Sequence, residues 1–175
     1  ARSLAVDGKT VAAYLDLLVD LLLVRRLPPW HSNTRKRLVK SPKIYVRDSG
    51  LAHALLQIAD SEALLAHPVS GASWEGLVIE TLVAMAPPES EAYFFRSATG
   101  DEIDLLLKLP HRTKPWAIEI KRGQAPHLEH GFHLACQVVE PEKCFVVYNG
   151  PERFPLANGV EAVSLADLCH ELDTM

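Results

Sequence analysis

The chain has 175 residues, 48% of them hydrophobic and 23% charged, a globular composition with room for one domain or two small ones that excludes collagenous, disordered and disulfide-framework classes. The formal net charge of -4 conceals an asymmetry: residues 1–47 carry 10 Lys and Arg against 3 Asp and Glu, and residues 48–175 carry 8 against 19. A basic head on an acidic body fits either a nucleic-acid-facing element or a solvated charged face.

The richest apolar stretch, 14–24, is broken by Asp16 and Asp20 and is too short for the roughly 18 to 20 residues that span a bilayer, so no membrane partner is expected. No secretory signal and no initiator Met open the sequence, which is therefore expected to begin inside a longer gene product. Cys136, Cys144 and Cys169 form no CxxC pair and leave one thiol over, which points to a reducing, cytoplasmic setting.

In chain order, residues 10–24 read as an amphipathic helix, with Val11, Tyr14, Leu15, Leu18 and Leu22 recurring at three- and four-residue steps behind an Asp7-Gly8 start. A short strand from Arg25 is stopped by Pro28-Pro29, and after a polar turn and the basic run Arg35-Lys36-Arg37-Leu38-Val39-Lys40 a second strand covers 43–47. A helix feeding a basic hairpin is the end of a winged helix, whose leading helix would precede Ala1. Short helices are predicted over 51–58 and 61–66 and a longer one over 73–85, stopped by Pro87-Pro88. Strands follow over 92–96, 102–109 and 116–122, joined by hairpin loops. A helix over 127–139, a strand over 143–148 and a helix over 165–172 complete a mixed α/β pattern around one sheet.

Alternation along strands isolates the residues that could do chemistry. In Trp116-Ala117-Ile118-Glu119-Ile120-Lys121, the two isoleucines share one face and Glu119 and Lys121 the other. In the preceding strand Ile103, Leu105 and Leu107 share a face, and Asp104 points the other way with Glu102 and Leu106. Hairpin pairing would set Asp104 beside Glu119, and two close carboxylates repel unless a cation lies between them. Mg2+ suits such a pair, because it is content with one or two carboxylates plus water and phosphate oxygens.

The spacing of Asp104 from Glu119-Ile120-Lys121 resembles the D-x(n)-E-x-K core of the PD-(D/E)XK restriction-endonuclease-like superfamily. That resemblance implies acids holding divalent ions and a lysine that positions the attacking water and offsets phosphate charge. It also implies an additional acid from the helix before the sheet, where Glu75 stands; Glu80 lies about 140° further round a helix, so the two do not easily aim at one ion, and Glu75 is preferred.

A wider resemblance rests on Val11, Tyr14 to Leu18, Lys43 to Leu51, Trp74-Glu75, Phe95-Arg96, Glu102 to Asp104 and Ile118 to Lys121. These are similar to the C-terminal region of predicted bacterial and archaeal AAA-type P-loop ATPases, in which a winged helix and a nuclease-like domain of unknown function follow the nucleotide-binding module. The implied fold class is α/β: a restriction-endonuclease-like mixed sheet flanked by helices (48–175), preceded by a truncated winged helix with a basic hairpin (1–47). ATP would act only through an upstream module outside this sequence. Gly8-Lys9-Thr10 is not a Walker A loop, since Ser3 stands where its first glycine belongs and no strand precedes it.

Three readings of Asp104, Glu119 and Lys121 stay open: a Mg2+-dependent nuclease centre, a nuclease-derived fold retained for binding, and a strand-face salt-bridge network. The acidic body counts against the first, because nucleic-acid affinity rests on Lys and Arg contacts to phosphates. Arg25, Arg26, Arg35, Lys36, Arg37 and Lys40 are candidates for DNA contact or for docking on the upstream ATPase. The 10–24 helix is a candidate homo-oligomer surface if its apolar face is uncovered. His127, His130 and His133 spread over about 120° of a helix and read as surface, not a zinc site. Cys136 and Cys144 read as small core residues.

Overall fold

The computed structural model describes residues 6–31, 39 and 41–175. The fold is mixed α/β: a helix–strand–strand element followed by a mixed sheet flanked by helices. Helix α1 (Gly8–Asp20) is capped by Asp7, whose Oδ1 accepts the Thr10 N–H at 2.8 Å. Strands β1 (Val24–Leu27) and β2 (Lys43–Val46) pair antiparallel, Val24 opposite Val46 and Leu27 opposite Lys43. Helices α2 (Ser49–Leu55) and α3 (Ser61–Ala66) start on Asp48 and Asp60, each carboxylate capping the backbone N–H three residues on. Helix α4 (Ser70–Met85) begins three residues before the predicted start and ends ahead of Pro87.

The sheet contains β3 (Glu91–Arg96), β4 (Glu102–Lys108), β5 (Trp116–Ile120), β6 (Lys143–Val147), β7 (Phe154–Pro155) and β8 (Val160–Val163), in the order β3-β4-β5-β6-β8-β7. The first three strands form an antiparallel meander, while β5, β6 and β8 run parallel. Helix α5 (His130–Val139) connects β5 to β6, and α6 (Leu165–Asp173) follows β8 under a Ser164 cap. The β3–β4 loop turns at Gly100, whose φ of +95° suits a residue without a Cβ. Strands β7 and β8, two and four residues long, escape the sequence reading.

Two cores sandwich the sheet. One face packs Val78, Ile79 and Leu82 of α4 and Leu168 and Leu172 of α6 against Leu105, Leu107, Ile118 and Phe145, and it also takes Leu27 and Tyr45 from the hairpin. The other packs Phe132 and Ala135 of α5 against Phe95, Leu106, Ala117 and Val146. The hairpin therefore shares a core with the sheet, and its exit joins the sheet edge: the Trp30 N–H donates to Phe94 O at 2.6 Å and the Val39 N–H to Arg96 O at 3.0 Å. By contrast α1 buries none of its residues; Tyr14 and Leu18 of its apolar stripe stay exposed, as does Leu17 beside them. Among the described residues no helix is long and apolar enough to cross a membrane.

Strict alternation fails at one place in β4. Tyr93 pairs with Leu106 but Phe95 pairs with Ile103, so Asp104 and Leu105 together oppose the single residue Phe94. This is a β-bulge, a device that re-aims side chains. It moves Ile103 into the α5-side core, away from Leu105 and Leu107 with which alternation had grouped it.

Candidate functional site

The bulge and the end of β5 open onto a pocket of about 280 Å³ lined by Glu75, Glu102, Asp104, Glu119, Lys121 and the start of α5. The predicted strand pairing is present: Leu105 faces Ile118, and continuing that register sets Asp104 opposite Glu119. The Asp104 Oδ2 accepts the Ile120 N–H at 3.0 Å, so its carboxylate closes the end of the β4–β5 ladder. Lys121 lies just past β5, its N–H still bonded to Val147 O at 2.9 Å, and its Nζ stands 3.0 Å from Glu119 Oε1 and 3.8 Å from Glu129 at the head of α5.

Glu119 is only 8% exposed, and its Oε2 is buried with no hydrogen-bond partner. Burial, reinforced by the Asp104 charge, pushes its carboxyl up to about 8 despite Lys121. Asp104 is raised in the same sense, by burial first and then by Glu75 and Glu102, with Lys43 acting against them. Carboxylates crowded in this way favour a cation.

One cation is already built in. Lys43, from the start of β2, places its Nζ 2.8 Å from Glu75 Oε1, 2.7 Å from Glu102 Oε1 and 3.2 Å from Asp104 Oδ1. Burial opposes its charge, but Asp104 and Glu75 outweigh that and raise its affinity for the proton. Tyr45 donates its hydroxyl to the same Glu75 oxygen, and Arg96 forks onto Glu102. Those two hydrogen-bonding partners, Arg96 ahead of Lys43, overcome burial and lower Glu102.

Asp104, Glu119 and Lys121 thus line one pocket. Glu75 reaches it too, but Lys43 and Tyr45 hold its carboxylate. Among the described residues no three His, Cys, Asp or Glu side chains converge closely enough to form a metal-ligand set. A magnesium ion in this pocket would have the two carboxylates of Asp104 and Glu119, a number that ion tolerates, and the partnerless Glu119 Oε2 would be open to it. In keeping with the helix angle, Glu80 points elsewhere, and it engages Arg25 and Arg47.

Of the six basic head residues, Arg25 is turned inward onto Glu80 and Arg26 pairs with Asp16 at the surface; Arg35, Lys36, Arg37 and Lys40 lie outside the described residues. His127 precedes α5, which begins at His130. Cys136 and Cys144 face each other at 3.8 Å beside a separate hollow.

Sequence reasoning missed Lys43, Tyr45 and Glu102 as members of one charged assembly, and Arg47 as a partner of Glu80. The available signal was Lys43-Ile44-Tyr45-Val46-Arg47, which alternates three proton-donating side chains along β2 and the residue just past it. All three meet α4, at Glu75 or Glu80.

Residues 1–62 match the family model described as "Domain of unknown function (DUF8612)", and residues 70–168 that described as "Domain of unknown function (DUF4143)". The border between the two falls between the strand carrying Lys43 and the elements carrying the acids it touches. Two uncharacterized proteins, from Mycobacterium tuberculosis and Mycobacterium bovis, are each 44% identical to the chain over 163 residues, which is 93% of this chain and 36% of theirs. The chain therefore spans little more than a third of the length of these curated relatives. No solved structure matches it. The second model takes in all six strands of the sheet and every acid of the pocket, over more than half of the residues, and on that match the chain belongs to the DUF4143 family.

Proposed function

We propose that this chain is a nucleic-acid-associated domain of restriction-endonuclease-like fold, in which Asp104 and Glu119 hold Mg2+ for phosphodiester hydrolysis. The helix–strand–strand element before the sheet would be part of a winged helix, and a P-loop ATPase module would act with it in the whole protein. The observation that carries the reading is the buried, partnerless Oε2 of Glu119 in a pocket shared with Asp104 and Lys121. When bound, magnesium would supply Lewis acidity and an acidified water. Lys121 would orient that water and offset negative charge at the phosphate. The Ile120 N–H would keep Asp104 aimed at the pocket, and Lys43 and Tyr45 would hold Glu75 back.

Incubation of labelled single- and double-stranded DNA and RNA with the protein and Mg2+ or Mn2+ tests this directly. Cleavage by wild type that disappears in Asp104→Asn supports it; no cleavage of any of the four substrates with either ion removes the enzymatic claim.

A second reading, an interaction module without catalysis, is favoured by the Lys43 ammonium, which already balances three of the pocket's acids. It predicts a DNA or protein partner whose binding is unchanged in Asp104→Asn.

A further inference from the structure

Lys43 stands beside the pocket, on three of the acids that line it, as a cation on a tether. An ammonium carries three N–H donors, and three carboxylates, those of Glu75, Glu102 and Asp104, lie 2.7 to 3.2 Å from Lys43 Nζ. The same group sits 5.6 Å from the centre of the Phe94 ring, the residue opposite the bulge, so the ring and the acids together define its seat. Its side chain is 15% exposed.

Both oxygens of Asp104 are engaged, Oδ2 by the Ile120 N–H and Oδ1 by Lys43. A divalent cation approaching from Glu119 Oε2 meets Asp104 at an oxygen that already accepts one hydrogen bond; a second lone pair remains there, so charge rather than a filled site decides what moves. The Ile120 N–H is fixed in the backbone of β5; the ammonium lies at the end of a flexible stem. The two positive charges would also repel each other across the shared carboxylate. Lys43 is therefore the partner that yields.

We propose that Lys43 and a divalent cation compete for Asp104, so that loading the pocket displaces the lysine and changes how the head docks on the sheet. The inference rests on the metal reading above and adds a regulatory link to it. The release is local: Arg25 and Arg47 remain on Glu80, and Leu27 stays in the core, so the hairpin loosens at its Lys43 corner without leaving. A partner that pulls on the hairpin would, by the reciprocity of linked equilibria, tighten metal binding.

The test uses Mn2+ alone as the probe and the whole chain as the protein. Calorimetric titration compares wild type with Lys43→Met, which keeps the stem over Phe94 and removes the charge. The expected result is at least tenfold tighter binding by Lys43→Met, with the gain lost in Lys43→Met/Asp104→Asn. Equal or weaker binding by a cooperatively folding Lys43→Met overturns the competition while leaving the metal site standing. No Mn2+ binding by either protein at millimolar concentration overturns both.

Wild type offers a measurement that does not depend on a variant folding. Acylation of lysines, read by mass spectrometry, should rise several-fold at Lys43 on adding Mn2+ and stay constant at Lys143, which pairs with Glu171 far from the pocket. Unchanged Lys43 labelling at a Mn2+ concentration that saturates the protein overturns the proposal.

Discussion

Asp104 and Ile120 are joined by a side-chain-to-backbone hydrogen bond of 3.0 Å, which makes the central acid of the pocket part of the sheet itself. The bulge turns Asp104 out of strict alternation, and the Ile120 N–H catches it where the β4–β5 ladder ends. A removed hydrogen bond of this kind costs about 1 to 3 kcal/mol when a buried donor is left without a partner. Asp104→Ala is therefore expected to lose about that much in urea unfolding. Asp104→Asn keeps an amide oxygen for Ile120 and should lose less. Equal losses in the two variants would mean that the bond contributes little.

Catalysis should separate from stability at these positions. Asp104→Asn and Lys121→Met are each expected to lower Mg2+-dependent cleavage of nucleic acid at least a hundredfold, with circular dichroism unchanged. Rates that match wild type in both variants would assign the cleavage to a contaminating nuclease.

Glu119 makes a pH prediction for the metal-free protein. Its carboxyl is raised from an ordinary 4.5 to about 8, chiefly by burial. Between those values the folded state keeps a proton that the unfolded chain releases. The stability this group contributes is complete below about 4.5 and is lost as pH climbs through about 8. Thermal unfolding in chelator should show that decline, and Glu119→Gln, which cannot ionise, should flatten it and be the more stable protein at pH 9. A decline of equal size in Glu119→Gln would place its cause at another group.

The hairpin's hold on α4 depends on Glu80, which is 12% exposed at its side chain and faces both Arg25 and Arg47. Removing one carboxylate leaves two partly buried guanidiniums facing each other. Because both are partly open to water, the expected cost of Glu80→Ala is discounted from the fully buried case to about 1 to 3 kcal/mol. Hydrogen exchange should quicken first at Arg25 and Tyr45, which face each other across β1 and β2. Exchange quickened uniformly over the whole sheet would show instead that the hairpin and the sheet open as one unit.

Most elements were legible in the sequence because their signals are local. Asp7, Asp48 and Asp60 announce helix starts by their own hydrogen bonds to the turn that follows, and Pro87 stops α4 whatever packs beside it. The meander of β3, β4 and β5 follows from alternation and loop length, and with it the nearness of Asp104, Glu119 and Lys121. The apolar stripe of α1 was equally legible as a pattern, yet periodicity cannot say what covers a face, and among the described residues none buries it.

Residue order alone thus determined which acids and which lysine the two strands present, since side-chain period and hairpin register are properties of neighbouring residues. Only the tertiary structure decided how those charges are balanced. Lys43 lies 61 residues from Asp104 along the chain, and it meets that carboxylate because Leu27 and Tyr45 draw the hairpin into the same apolar core as α4. Burial then sets the charge states: Coulomb attraction in a dry pocket is several times stronger than in water, so a pairing that no local pattern encodes governs the chemistry of the site.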